Sequence, residues 1–150
     1  EYIGDMEFSI ATQIDEQFVE IQQNIGITDV GSFRSVIPFH WNTDGVLDLL
    51  ITEEDQAPTL YASNGCSDNS YITFTGPEGT KVRFDAGEKS YIGELNNASS
   101  FNASIAPMLH FGLGDSDVIY NVEFQHRLEE WTLLAEEVAV PQRINVPLNP

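Results

Sequence analysis

Binding a hard divalent cation is the chemistry that the residues from His40 to Leu49 are best suited to. The run reads His40-Trp41-Asn42-Thr43-Asp44-Gly45-Val46-Leu47-Asp48-Leu49: amide or acidic side chains at alternate positions, then glycine, then another aspartate. Ca2+ takes roughly six to eight oxygen ligands, and a short loop gathers them only where a glycine permits a sharp turn. In that reading Asn42, Asp44 and Asp48 supply side-chain oxygens and Val46 a main-chain carbonyl. Both flanks are strand-like, Val36-Ile37-Pro38-Phe39 before the loop and Leu47-Asp48-Leu49-Leu50-Ile51-Thr52 after it. A helix–loop–helix calcium site is therefore excluded.

The other reactive side chains make no constellation. His40, His110 and His126 are not at metal-ligand spacing, no Gly-x-Ser-x-Gly elbow occurs, and Cys66 has no evident base. Glu53-Glu54-Asp55, Glu129-Glu130 and Glu136-Glu137 are sequence neighbours, so on strands they point to opposite faces and form no carboxylate dyad. Gly112-Leu113-Gly114 is followed by no helix and cradles no phosphate. Trp41 and Trp131 are of the type that stacks on sugars, although burial in a small β core is their commoner use. The chain reads as non-enzymatic. Asn97-Ala98-Ser99 and Asn102-Ala103-Ser104 are N-glycosylation sequons in a polar stretch, so Asn97 and Asn102 are expected on an exposed loop of an exported protein.

Charge narrows the partners. Six Lys and Arg stand against 24 Asp and Glu, a net charge of −18. Nucleic acids and anionic membrane surfaces require cations that this chain lacks. A cation-binding protein, a protein adapted to salt and a surface kept soluble by repulsion all stay open. No apolar run approaches the roughly 20 residues needed to cross a bilayer. Cys66 is alone and forms no disulfide within the chain. The first residue is Glu1 rather than Met, which fits a processed secreted product or a trimmed one.

The elements that must hold the loop are strands. Apolar and polar residues alternate over Met6–Ile10, Tyr71–Phe74, Lys81–Phe84 and Val118–Phe124, and less strictly over Phe18–Ile21. Turn residues punctuate them at Thr43-Asp44-Gly45, Ser63-Asn64-Gly65, Gly76-Pro77-Glu78-Gly79, Ala86-Gly87 and Gly112-Leu113-Gly114-Asp115. Asp15–Gln23 has some helical character but reads as strand. Leu128–Glu137 is rich in helix formers, yet Trp131-Thr132-Leu133 and Val138-Ala139-Val140-Pro141 read as a strand and its exit. Pro141, Pro147 and Pro150 make the last segment an edge strand or extended tail. The expectation is an all-β fold of around ten short strands, in antiparallel sandwich or blade-like sheets. At 150 residues the chain has material for one domain or two small ones sharing a core.

Two segments resemble known families. Pro38 to Thr52 resembles the integrin-α-type FG-GAP/VCBS repeat, a propeller blade with a calcium loop of the D-x-N-x-D-G-x-x-D-L kind. Leu60-Tyr61-Ala62-Ser63-Asn64-Gly65 is similar to the strand and turn that follow there. Gly79-Thr80-Lys81-Val82, Ala86-Gly87, Leu109-His110-Phe111-Gly112-Leu113-Gly114-Asp115 and Val122-Glu123-Phe124 resemble the ASPIC/UnbV domain. That domain follows such repeats in secreted proteins of the cartilage-acidic-protein kind. The resemblances span about residues 25 to 148 and imply a blade portion over 25–66 and an ASPIC/UnbV-like β domain over 67–150, with 1–24 as an extra strand segment. Two departures matter. His40 stands where the repeat has its first aspartate, and imidazole is a poor ligand for a hard cation; bound Ca2+ and an ion-free loop held by Asx-type hydrogen bonds both stay open. His126-Arg127-Leu128-Glu129 replaces the Trp-Pro-x-Gly turn of the domain.

A lone blade leaves sheet edges that proteins must cover or pair. Asp5–Thr12 lies outside both resemblances and is a candidate strand to be donated, swapped or added to a neighbour. The expected function is that of a glycosylated extracellular structural subunit, self-associating into a filament by strand complementation. The alternative is a calcium-stabilised adhesion or glycan-binding module of a larger surface protein, contacting other surface proteins.

Overall fold

The computed structural model describes residues 6–7, 9, 11–14, 17–21, 27, 30–42, 44–64, 69–97, 99–100 and 103–147. Sixteen strands and the turns between them make up the secondary structure of the described residues. The first part contributes β1 (Met6–Glu7), β2 (Ala11–Ile14), β3 (Gln17–Glu20) and β4 (Val30–Gly31). The middle part contributes β5 (Phe33–Phe39), β6 (Asp48–Glu53) and β7 (Thr59–Tyr61). There follow β8 (Ser70–Thr75), β9 (Thr80–Ala86), β10 (Lys89–Glu94) and the short β11 (Ser99–Ser100) and β12 (Ala103–Ser104). The chain continues through β13 (Met108–Gly114), β14 (Val118–His126), β15 (Thr132–Ala139) and β16 (Gln142–Asn145). The all-β expectation holds.

Alternation builds the main core. On β9, Thr80, Val82, Phe84 and Ala86 are buried while Arg83 is exposed, so one face of the strand points inward. Sheet β10-β9-β14-β15 is antiparallel and turns that face toward sheet β13-β8-β16. Between them lie Ile72 and Phe74 from β8, Val82 and Phe84 from β9, and Ile119, Val122 and Phe124 from β14. Each such side chain contributes about 1.5–3 kcal/mol by burial. The aromatic rings interlock: Phe74 and Phe84 lie 5.6 Å apart, and Phe111 meets Phe84 edge-on at 5.1 Å. Residues 70 to 146 thus form a sandwich.

The helix formers of Leu128–Glu137 give way to strand β15, because pairing with β14 places Leu134 and Val138 against the core. The last segment becomes β16, an edge strand laid parallel on β8 and bounded by Pro141 and Pro147. The rebuilt hairpin after β14 turns through Arg127 at a φ of 55° and leaves Leu128 fully exposed.

The third large sheet, β5-β6-β7, is antiparallel. Pro38 is tolerated there because β5 is an edge. Ile51 anchors the sheet, and Ser35 and Thr52 hydrogen-bond across β5 and β6 at 2.7 Å.

The N-terminal alternation is divided rather than continuous. Met6–Glu7 pairs with Val30–Gly31, whereas Ala11–Ile14 pairs with Gln17–Glu20 in a separate hairpin. Asp5, Phe8 and Ile10 lie outside the described residues. Phe18–Ile21 is strand as expected as far as Glu20, and all four residues of β3 are exposed.

Candidate functional site

The loop from His40 to Asp48 leaves the end of β5 and returns at the start of β6, so its shape is set by two antiparallel strands. Inside it, short polar side chains bind the main chain. The Asn42 carbonyl oxygen accepts from the Asp44 amide at 3.0 Å, and Asp44 Oδ1 accepts from the Val46 amide at 2.9 Å. Asn42 Nδ2 donates to Asp44 Oδ2 at 2.7 Å. These are Asx-type bonds. They hold the Asp44 carboxyl below the usual carboxylate range, the Val46 amide contributing most and Asn42 next. Asp48 is fully buried, its Oδ2 accepting from the Trp41 amide at 2.8 Å and its Oδ1 from the Ser63 amide at 2.9 Å.

His40 closes the loop. Its Nδ1 lies 3.1 Å from the Val46 carbonyl, and since a carbonyl only accepts, that nitrogen carries the proton. The ring then reaches out of the loop to the sandwich. Its Nε2 is 3.4 Å from the hydroxyl of buried Thr73, which also meets His110 Nδ1 at 3.0 Å. Tyr71 stacks on His110 with ring centres 5.4 Å apart. Gly45, at a φ of 84°, lies directly under the Tyr71 ring. Loop and sandwich therefore meet at two imidazoles, one hydroxyl and one phenol, beside a cavity of about 180 Å3 that Arg143 also lines.

This joint is sensitive to acid. Burial, and then the neighbouring His40, lower His110 to about 4. A folded-state value below the unfolded 6.5 means that the unfolded chain takes up the proton first as pH falls. Stability attributable to His110 is whole above 6.5 and is lost on the way down to 4. Because His110 is only half-buried, solvent screening reduces the loss to about 1–2 kcal/mol. Urea unfolding at pH 7.5 and 4.5 should show that His110→Gln loses less stability than the parent by about this amount.

The structure brings the residues proposed for calcium together, in a loop held by hydrogen bonds. Both Asp48 oxygens, both Asp44 oxygens, the Asn42 oxygen and the Val46 carbonyl already accept hydrogen bonds within the loop or from His40 and Ser63. No cluster of three or more His, Cys, Asp or Glu suited to a metal occurs among the described residues. Of the two sequons, Asn97 is exposed in the segment after β10, and Asn102 lies outside the described residues, as does Cys66. The tryptophans differ from the burial expected of them: Trp41 is 64% exposed on the loop, and Trp131 is half-buried.

One cluster escaped the sequence. On the outer face of sheet β10-β9-β14-β15, Arg83 Nε donates to Glu123 Oε2 at 2.6 Å, and the guanidinium lies 4.2 Å from the centre of the Trp131 ring. The Glu123 bond, chiefly, raises the Arg83 pKa. Asp85 accepts from Asn121 Nδ2 at 3.0 Å and from Ser90 Oγ at 2.6 Å, and these bonds, Asn121 first, lower its pKa. Arg83 and Asp85 are legible as outward positions of an alternating strand. The irregularity in β14 that places Asn121 beside them, at a φ of 51°, has no signature in the residue types.

Residues 77–146 match the family described as ASPIC and UnbV. The match covers most of the sandwich and leaves the β5-β6-β7 sheet and its loop outside it. No curated protein and no solved structure matches the chain.

Proposed function

We propose that the chain is a non-catalytic extracellular structural module, a subunit that joins copies of itself into a filament through β-strand pairing. The observation that carries this reading is the hairpin β2–β3. It is a two-stranded sheet with both edges unpaired among the described residues, and Phe18 on it is 78% exposed. A hairpin of four-residue strands has little stability in water by itself, so it gains most from a neighbour that covers Phe18 and extends its ladder. Sheet β5-β6-β7 offers an acceptor, because a blade of the FG-GAP/VCBS kind has a fourth strand and this sheet has three among the described residues. A head-to-tail contact of this type, repeated with a rotation that does not close into a ring, grows a fibre. The acidic surface keeps such fibres apart laterally through repulsion, and glycans on Asn97 and Asn102 add to that separation.

Removal of residues 1–21 tests the reading. The sandwich core contains none of these residues, so the truncated chain should keep its Tm within about 3 °C of the parent. The full chain should form regular filaments under negative-stain electron microscopy and the truncation should stay monomeric. Small monodisperse particles from the full chain, or filaments from the truncation, would refute it.

A further inference from the structure

We infer that the outer face of sheet β10-β9-β14-β15 is a binding site for a neutral oligosaccharide, formed by Arg83, Asp85, Ser90, Asn121, Glu123 and Trp131. The register lines the face in rows. Ile92, Arg83, Glu123 and Leu133 are successive cross-strand neighbours over all four strands, and Ser90, Asp85, Tyr120 and Glu137 form a second row. A trough of about 560 Å3 is lined by Arg83, Asp85, Ser90, Asn121, Glu123 and Leu133 together with Phe84 and Tyr91.

Three observations favour a sugar. First, the polar groups are planar and already oriented by one another, through the Arg83–Glu123 and the Asn121–Asp85–Ser90 hydrogen bonds. Planar carboxylate, amide and guanidinium groups pair with adjacent hydroxyls two at a time, and orientation before binding lowers the entropy cost. Second, exposed apolar surface borders them. Ile92 is 64% exposed, Leu133 52% and Tyr120 44%, on one face of one sheet. A pyranose is amphipathic in the same way, with a C–H face for apolar side chains and a rim of hydroxyls for polar ones. Third, β14 departs from regular register between Tyr120 and Glu123, so that Tyr120 and Asn121 are both exposed instead of alternating. Irregularities of this kind re-aim side chains next to binding sites.

Charge selects among ligands. Asp85 and Glu123 oppose Arg83, within a chain of net charge −18. Phosphorylated, sulfated or uronate-bearing ligands and nucleic acids are repelled. An uncharged sugar loses nothing to that field. The site is separate from hairpin β2–β3 and does not depend on assembly through it.

The test uses the full chain labelled with 15N. Cellohexaose, xylohexaose, mannohexaose and chitohexaose are titrated to about 5 mM, a range that detects weak millimolar binding. At least one should shift amides of β9, β10 and β14 together with the Trp131 indole N–H. Asn121→Ala and Asp85→Ala should each weaken that binding about tenfold, and Leu128→Ser, at the tip of the β14–β15 hairpin, should not change it. Retained amide dispersion in each variant shows that the fold has survived. No shift with any of the four sugars would overturn the proposal. So would shifts confined to Trp41, preference for a uronate oligomer over the neutral sugars, or displacement of the same amides by CaCl2 alone.

Discussion

Replacing Gly45 with alanine is expected to destabilise the protein by about 2–4 kcal/mol, a fall in Tm of roughly 5–12 °C for a chain of this size. Two causes add. The backbone at Gly45 has a φ of 84°, a region where a Cβ costs about 1–2 kcal/mol. In addition, a Cβ built there would fall inside the Tyr71 ring, and that ring is not free to leave. It stacks on His110 at 5.4 Å and leans on His40 at 6.4 Å, so pushing it away opens the joint between loop and sandwich. The two causes separate in a double-mutant cycle. Measured in a Tyr71→Ala background, Gly45→Ala should cost only the backbone part, about 1–2 kcal/mol. An equal cost in both backgrounds would mean that the ring contact plays no part.

Much of the architecture was legible because strands with one buried face must alternate. Lys81–Phe84 and Val118–Phe124 declare β9 and β14 directly, and the turns at Gly76–Gly79 and Ala86–Gly87 fall where the chain reverses, with Gly79 and Gly87 at positive φ. Leu128–Glu137 was settled by its β-branched and aromatic residues rather than by its helix formers, since packing on the core outweighs a few tenths of a kcal/mol of propensity. The calcium-like loop was legible as a loop, because Asn42 and Asp44 bond their own backbone with or without an ion. Features that depend on distant residues were not legible. That Ser63 donates to Asp48, that Tyr71 lies on Gly45, and that β14 slips register at Asn121 follow from how sheets meet, and no local pattern encodes that. The division of Met6–Thr12 between two pairings has the same origin: the alternation there fits either partner, and position in space decides.

Asp48→Asn should cost about 2–3 kcal/mol while changing almost nothing in shape. The aspartate is fully buried and accepts two main-chain N–H groups, one from Trp41 on the loop and one from Ser63 beyond β7. It therefore ties the ends of both outer strands, β5 and β7, to one side chain at the start of β6. Asparagine keeps one acceptor oxygen and replaces the other with an NH2 group, which would point at an N–H and leave that donor unpaired in a place water does not reach. Guanidinium unfolding of parent and variant measures the loss. The same pair of curves decides what closes the loop. If His40 and the Asx bonds hold it, the parent curve and the difference between the two proteins should be unchanged within about 0.5 kcal/mol in millimolar Ca2+ or in EDTA, since an ion that does not bind adds no stability. If Ca2+ raises the parent midpoint and Asp48→Asn abolishes the rise, the loop re-forms around the ion, with the Trp41 and Ser63 amides giving up their carboxylate to it. A calcium response that survives Asp48→Asn would mean that the loop closes around the ion without the full charge of Asp48, because asparagine keeps one side-chain oxygen of a kind that Ca2+ accepts as a ligand.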